Sequence, residues 1–253
     1  MSDITQPRGS DDTQFAQPLY TPIKRRSFFM YAGATAGATA LVLAGCSKDA
    51  IIQTVNLPVG NSNNADGSIS LGSGDVGVLN FAYALEQLEA DFYSQVVAKS
   101  QSVLSATEYA YFQQVAKHEA IHRDFFKAAL TRDAGTQVLR GLTPVYPTGT
   151  FTNKTTLLAT AKAFEDLGVA AYNGAGKLLR SPEYLLLAGK IVSVEARHAA
   201  YIRDLITPGS FAADDQVDAV SGLDMAKKPM EVLTIAQTFI TEKLDGSSVG
   251  VNA

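Results

Sequence analysis

The sequence lacks several features that would place it in common functional classes. Its 253 residues include one cysteine, no tryptophan and three histidines. A single cysteine excludes a disulfide framework, a cysteine-based metal site and an iron–sulfur cluster. The chain carries 21 Lys and Arg against 25 Asp and Glu, a formal net charge of −4. This balance argues against a nucleic-acid-binding protein, which normally presents a basic stripe.

One long run without charged residues lies near the N-terminus. The pair Arg25-Arg26 precedes residues 28–45, an uncharged segment diluted by Gly and Ala, and the segment leads into LAGC, which ends at Cys46. This order resembles a twin-arginine export signal followed by the lipobox of bacterial lipoproteins. The resemblance implies that residues 1–45 are removed, that Cys46 is acylated and anchored in a membrane, and that the protein is exported to the bacterial cell envelope, facing the periplasm or the surface. The alternative is a retained N-terminal anchor with Cys46 as a free thiol.

Composition divides the rest of the chain into a tether and a helical region. Residues 46–75 are rich in Gly, Ser and Asn, which predicts a flexible tether. Helical periodicity predicts a bundle over residues 76–206 and an extension with one further helix over residues 207–253. The five predicted helices cover approximately residues 76–99, 105–132, 154–179, 182–207 and 229–244.

Local signals indicate the helix boundaries and the connectivity. Asp75 is expected to cap the first helix, and Ser105 with Glu108 fits a capping box at the start of the second. Ser181 followed by Pro182 is typical of the start of the fourth. The connection between the second and third helices has about 20 residues, which is long for a bundle and predicts that it crosses the bundle's length. We therefore predict an all-α fold, a four-helix bundle with one long crossover.

A glutamate interrupts the apolar face of each of the four long predicted helices. One such glutamate alone would be explained by a solvated face, but four in phase need compensation, because burying an unpaired carboxylate costs several kcal/mol. On the second and fourth helices a histidine follows three residues later, on the same helical face. Four carboxylates would balance two divalent cations, which favours a dinuclear metal site. The candidate metal ligands are Glu86, Glu119, His122, Glu165, Glu195 and His198.

The two helical hairpins repeat each other. In each, a tyrosine follows the first candidate glutamate by seven residues. The pairs are Glu86 with Tyr93 and Glu165 with Tyr172. Alignment of the halves places Gly168 where the first half has Glu89, so Glu86 is the better ligand candidate and Glu89 a spare. We expect both tyrosines to pack in the core with a hydrogen-bonded hydroxyl rather than to act as redox-active radicals.

The ligand set resembles that of the ferritin-like superfamily of di-iron and di-manganese carboxylate proteins, in which two helices supply one Glu each and two supply Glu-x-x-His. Residues 84–93, ALEQLEADFY, and residues 229–240 are similar to the subfamily that includes plant desiccation-related proteins and bacterial ferritin-like lipoproteins. The resemblance covers about residues 76–245 and implies a ferritin-like four-helix bundle with an extra C-terminal helix. Many members have Asp before the Glu of the fourth-helix motif, where this chain has Val194; His118 stands at the corresponding place in the second helix. The outer partners of the two histidines are therefore unassigned.

The resemblance implies two divalent metal ions, iron or manganese, as the cofactor, with oxygen and nitrogen ligands that suit both metals. It further implies an oxidoreductase that reacts with peroxide, dioxygen or Fe(II), ferroxidase-, peroxidase- or catalase-like, in stress protection. Two alternatives keep the same fold: a non-catalytic envelope binding or structural module, and a polar core that has lost its metal. Homo-oligomerisation stays open, whereas a storage cage is not expected of a lipid-tethered chain with a C-terminal extension.

The segment HEAIH, residues 118–122, also matches the HExxH signature of zinc metalloproteases, in which both histidines bind zinc. Such a site needs a third ligand, and no histidine lies between His122 and His198. The corresponding segment of the fourth helix begins with Val194 and retains only Glu-x-x-His. The shared unit is therefore Glu-x-x-His. This predicts that His118 lies at the surface or beside the site, and it makes the protease the less favoured interpretation.

Overall fold

Apolar residues at helical spacing form four long helices in the computed structural model, which describes residues 63–251. A short fifth helix follows them. The helices are α1 (Gly74–Lys99), α2 (Ala106–Ala134), α3 (Lys154–Ala175), α4 (Pro182–Ile206) and α5 (Pro229–Ala236). Because α1 packs mainly against α2 and α3 mainly against α4, the bundle consists of two helical hairpins. The all-α prediction is confirmed for the described residues. None of their helices has the length and apolar character needed to cross a bilayer.

The second and fourth helices begin as their sequences predict. In the capping box of α2, the Ser105 hydroxyl accepts a hydrogen bond from the backbone N–H of Glu108, and the Glu108 carboxylate accepts one from the N–H of Ser105. At α4, the Ser181 hydroxyl accepts a hydrogen bond from the N–H of Tyr184. Pro182 occupies the first turn, where a backbone N–H would have no helical partner.

Asp75 does not cap α1, contrary to the expectation from the sequence. The N-cap is Ser73, and Asp75 lies in the first turn of the helix. Its carboxylate accepts hydrogen bonds from the N–H groups of Arg180, at 2.8 Å, and Ser181, at 2.9 Å. Asp75 therefore joins the start of α1 to the connection between α3 and α4, a long-range contact that local sequence signals do not reveal.

The segment between α2 and α3 crosses the length of the bundle, as its length predicts. It runs alongside α1 and forms hydrogen bonds with side chains of that helix and of Ser100, the residue after it. In order along the segment, the bonds join Leu139 to Asn80, Leu142 to Gln87, Tyr146 to Asp91 and Phe151 to Ser100. The crossover therefore covers one side of α1. As a result α1 is buried around most of its circumference, whereas α2 buries a single stripe.

The C-terminal extension contains less helix than predicted. α5 ends at Ala236 and a short 3₁₀ turn follows, so the helix stops well before the predicted residue 244. The side chain of Gln237 bonds to the backbone of the next residues, donating to the carbonyls of Ile240 and Glu242 and accepting from the N–H of Leu244. These bonds hold residues 240–244 in a non-helical conformation and take the place of the backbone hydrogen bonds that a longer helix would form.

The tether prediction is wrong for its last residues. Ile69–Ser70 forms strand β1, which pairs in parallel with strand β2, Leu244–Asp245. Ile69 and Leu71 are fully buried. The free energy gained by burying these two side chains outweighs the conformational entropy that the surrounding Gly and Ser residues lose when the segment becomes ordered. The predicted signal segment, the lipidated Cys46 and the first part of the tether lie outside the described residues.

The C-terminal extension packs closely against α3. A Cβ at Gly174 would lie 1.8 Å from the carbonyl oxygen of Lys227, so only glycine permits this approach. Arg203 of α4 is buried and forms ion pairs with Asp166 of α3, at 2.7 Å, and Asp215 of the extension, at 2.8 Å. The extension thus covers part of α3, as the crossover covers one side of α1.

Candidate metal centre

All six predicted ligands lie together in the centre of the bundle. The four glutamates come from four different helices, and each is completely buried. They are Glu86 on α1, Glu119 on α2, Glu165 on α3 and Glu195 on α4. The two histidines, His122 and His198, are 8% and 4% exposed. Helical spacing places each residue on the inner face of its helix, and packing these four faces against one another brings the six together.

The first group of donors surrounds His122 and includes Glu86, Glu119 and Glu195. One ligand atom from each of these four residues lies within 4.8 Å of the others. The Nδ1 atom of the histidine lies 2.8 Å from Glu195 Oε1, 3.2 Å from Glu119 Oε2 and 3.6 Å from Glu86 Oε2. We refer to this group as the His122 half-site.

The second group surrounds His198 and includes Glu119, Glu165 and Glu195, again with donor atoms within 4.8 Å of one another. The Nδ1 atom of this histidine lies 2.9 Å from Glu119 Oε1, 3.5 Å from Glu165 Oε2 and 3.7 Å from Glu195 Oε2. We refer to it as the His198 half-site. Glu119 and Glu195 belong to both half-sites, and each directs one oxygen towards each histidine.

Several donor atoms of the two half-sites are buried without a hydrogen-bond partner. They are Glu86 Oε2, Glu119 Oε1, Glu165 Oε2, both carboxylate oxygens of Glu195, and His198 Nδ1. Buried polar atoms are normally paired, because leaving one unpaired costs free energy. Carboxylate oxygens and an imidazole nitrogen that converge in this way are suited to bind cations, and the donor set therefore fits divalent metal ions.

The electrostatics of the metal-free centre show the same need for positive charge. Burial raises the pKa of Glu86 to about 8 and that of Glu165 well above its usual range. Burial alone would lower the pKa of His122 and His198, but the neighbouring carboxylates raise both to about 12. Burial opposes ionisation of Glu195, but the two neighbouring histidines outweigh burial and lower the pKa of Glu195 to about 2.

Two tyrosines fix the glutamates that belong to only one half-site. Tyr93 of α1 donates a hydrogen bond to Glu165 Oε1, at 2.5 Å, and Tyr172 of α3 donates one to Glu86 Oε1. Each tyrosine therefore reaches across to the other hairpin. Both are buried, with a hydrogen-bonded hydroxyl, as the sequence predicts. Each glutamate keeps its Oε2 atom directed towards a histidine.

Glu89, the spare glutamate, is buried beside the centre without joining either half-site. It faces Gly168, and a Cβ added to that glycine would lie 3.0 Å from Glu89 Oε1. The two positions that the internal repeat aligns are thus neighbours in space, and the absence of a side chain at one leaves room for the carboxylate at the other. Glu89 Oε2 has no hydrogen-bond partner, and burial raises the pKa of this residue.

His118 lies beside the centre, at the surface. It contacts His198 rather than sharing a donor group with His122, so the two histidines of the HExxH sequence do not form a zinc site here. Its Nδ1 atom lies 2.9 Å from Nε2 of His198, and the two rings are nearly parallel, at 8°. Sequence reasoning could not assign this pair, because the partners are 80 residues apart.

The fold and the centre together define a class of protein: a four-helix bundle whose core holds two adjoining groups of carboxylates and histidines. Comparison with family models agrees, since the model described as "Ferritin-like domain" matches residues 74–208. The chain therefore belongs to the ferritin-like family. No curated protein matches it.

Proposed function

We propose that this ferritin-like protein is tethered to the bacterial cell envelope by a lipid on Cys46 and binds two divalent metal ions, iron or manganese. We further propose that it reacts with peroxide, dioxygen or Fe(II) in protection against stress. The observation that carries the proposal is the convergence of four buried carboxylates and two imidazoles, several of whose donor atoms have no hydrogen-bond partner. Oxygen and nitrogen donors without a thiolate suit both metals.

Each part of the donor set has its own task in this proposal. The carboxylates of Glu119 and Glu195, which face both half-sites, would hold the two ions next to each other. Glu86 and Glu165 would each bind one ion, and the tyrosine hydroxyls hold these two side chains in position. When bound, a pair of iron or manganese ions supplies redox chemistry that a small oxidant can use. The apolar residues around the donors limit the entry of water.

The resemblance of residues 25–46 to an export signal and lipobox supports the proposed location. A twin-arginine route carries folded proteins, so the chain would receive its metal before it meets competing copper or zinc outside the cytoplasm. A protein anchored at Cys46 would then act on peroxide or Fe(II) within the envelope. The anchor is inferred from residues 25–46, which precede the described part of the chain. The stress role is inferred from the family resemblance.

The direct test is elemental analysis of the full chain, exported by its own signal and purified from the membrane. We expect about two iron or manganese ions per chain, matching the two half-sites. The double variant Glu119→Ala/Glu195→Ala should lose both ions, because both residues are shared. The matched control is Glu183→Ala, an exposed glutamate near the start of α4 that should leave the metal content unchanged.

The remaining outcomes separate the alternatives. No metal in a protein that keeps its helical content would contradict the proposal and leave the bundle as a binding or structural module. One zinc ion per chain would contradict a dinuclear iron or manganese centre. Two bound ions would direct the next assay to turnover of peroxide or Fe(II), and metal without turnover would indicate a structural role for the centre.

A further inference from the structure

The two half-sites differ in what supports their histidines from outside. Nε2 of His198 lies 2.9 Å from Nδ1 of His118, and the two ring planes are nearly parallel, at 8°. Within residues 63–251, Nε2 of His122 has no protein hydrogen-bond partner. The His198 side chain is also the more enclosed, 5% exposed against 11% for His122.

The internal repeat shows why the support occurs only once. The residue before the glutamate of each Glu-x-x-His motif is His118 on α2 and Val194 on α4. From α2, His118 reaches across to the histidine of α4. Val194 holds the corresponding place in the other hairpin, but its side chain has no polar atom to offer His122.

The contact determines which nitrogen of His198 can bind a metal ion. A metal ligand must present an unprotonated nitrogen, and it is Nδ1 of His198 that faces the carboxylates. A neutral ring with a free Nδ1 carries its proton on Nε2, which can donate it to Nδ1 of His118. Outer partners of this kind fix both the tautomer and the angle of a ligand ring, and their loss typically lowers metal affinity about 10–100-fold.

We propose that His118 is a positioning residue that makes the His198 half-site the tighter of the two, so that this half-site fills first. The proposal rests on the proposed function, since it requires that the centre binds metal. It adds that the two ions are not equivalent, although the donors of the two half-sites are of the same kind.

The test is a titration of the metal-free full chain with Co²⁺, followed by calorimetry and by visible absorption. The wild-type chain should bind two equivalents in two steps whose affinities differ by about tenfold or more. His118→Phe keeps an aromatic ring but removes the acceptor, so the tighter step should weaken about 10–100-fold and merge with the other. His118→Asn places an amide oxygen near the position of Nδ1 and should keep both steps. Gln114→Ala, an exposed neutral change on the same helix, is the control.

Each other result overturns the proposal in a recognisable way. Two equal steps in the wild-type chain, or an unchanged tighter step in His118→Phe, would contradict the role of His118 but leave the proposed function intact. Equal weakening in His118→Phe and His118→Asn would indicate a purely structural role. No binding of Co²⁺ would overturn both the inference and the proposed function. Circular dichroism verifies that each variant folds, and His118→Ala provides a second variant without the acceptor.

Discussion

The two helical hairpins present the same donors to the centre and surround them differently. Each supplies one glutamate, one Glu-x-x-His motif and one tyrosine that reaches the other hairpin. The differences lie just outside the donors: Glu89 faces Gly168, and His118 has Val194 as its counterpart. The residues that would touch a metal ion and the tyrosines that hold two of them are thus repeated, whereas Glu89 and His118 have no counterpart of the same kind. The hairpins are therefore symmetrical in their metal-binding donors and unsymmetrical in the residues next to those donors.

The largest effect is expected from the carboxylates that the two half-sites share. Glu195→Ala removes a donor from both half-sites, whereas Glu165→Ala removes one from the His198 half-site alone. We expect Glu195→Ala to lose both ions and Glu165→Ala to retain about one ion per chain. Elemental analysis after dialysis measures the difference. Equal losses in the two variants would contradict the division into half-sites.

Acidification is expected to weaken metal binding at both half-sites, because protons compete with metal ions for their histidines. Burial alone would lower the pKa of His122 and His198, but the carboxylates raise both to about 12, so each ring holds a proton at neutral pH in the metal-free protein. A metal ion must displace these protons. Affinity should therefore fall as the pH falls, by about tenfold per pH unit for each proton displaced. Competition with a chromogenic chelator over a range of pH measures this slope, and an affinity independent of pH would contradict the account.

Removing either tyrosine hydroxyl should weaken metal binding less than removing a shared carboxylate does. Each change should affect the half-site that contains the glutamate bonded to that tyrosine, on the other hairpin. Tyr93→Phe leaves Glu165 Oε1 without its donor and should weaken the His198 half-site, whereas Tyr172→Phe should weaken the His122 half-site through Glu86. A hydrogen bond to a charged group contributes about 1.5–3 kcal/mol, so we expect a loss of about 10–100-fold in one step of the Co²⁺ titration. Tyr83→Phe, which removes a hydroxyl outside the centre, is the control; if it weakens binding equally, the effect is not specific.

The smallest effect is expected where Glu89 meets Gly168. Gly168→Ala would place Cβ 3.0 Å from Glu89 Oε1, and relief of this overlap should cost about 1–3 kcal/mol. Since alanine gains only about 0.5–1 kcal/mol from helix propensity, the free energy of unfolding should fall. In a Glu89→Ala background the same change should instead stabilise the protein by about 0.5–1 kcal/mol, because alanine favours a helix. Urea unfolding of the metal-free variants gives both values.

The matched control for this pair is Gly189→Ala. That glycine lies within α4, and a Cβ there would meet nothing within 4 Å. We expect a gain of about 0.5–1 kcal/mol from helix propensity alone. The same gain for Gly168→Ala in the wild-type chain would show that Glu89 does not need the space above the glycine.

The sequence predicts the helices and the donors because both follow from local periodicity. Ser105 and Ser181 cap the helices that their neighbours predict, and the Glu-x-x-His spacing places both side chains on one helical face. The four glutamates are recognisable because a carboxylate on an apolar face needs a reason. Their convergence then follows from packing four such faces against one another.

What the sequence does not predict depends on contacts between distant residues. His118 and His198 become partners only when α2 and α4 are packed together. The pairing of Ile69–Ser70 with Leu244–Asp245 joins opposite ends of the described chain, so composition alone reads the first of these strands as tether. The early end of α5 depends on hydrogen bonds of the Gln237 side chain, which helix periodicity does not reveal.

The central claim is that the two half-sites form one centre with shared carboxylates. Electron paramagnetic resonance of the full chain loaded with Mn²⁺ tests it most directly, because two manganese ions joined by shared carboxylates are magnetically coupled. The account predicts the spectrum of a coupled pair at full loading, and the spectrum of an isolated ion when Glu165→Ala removes one half-site. A spectrum of isolated ions at full loading of the wild-type chain would contradict it.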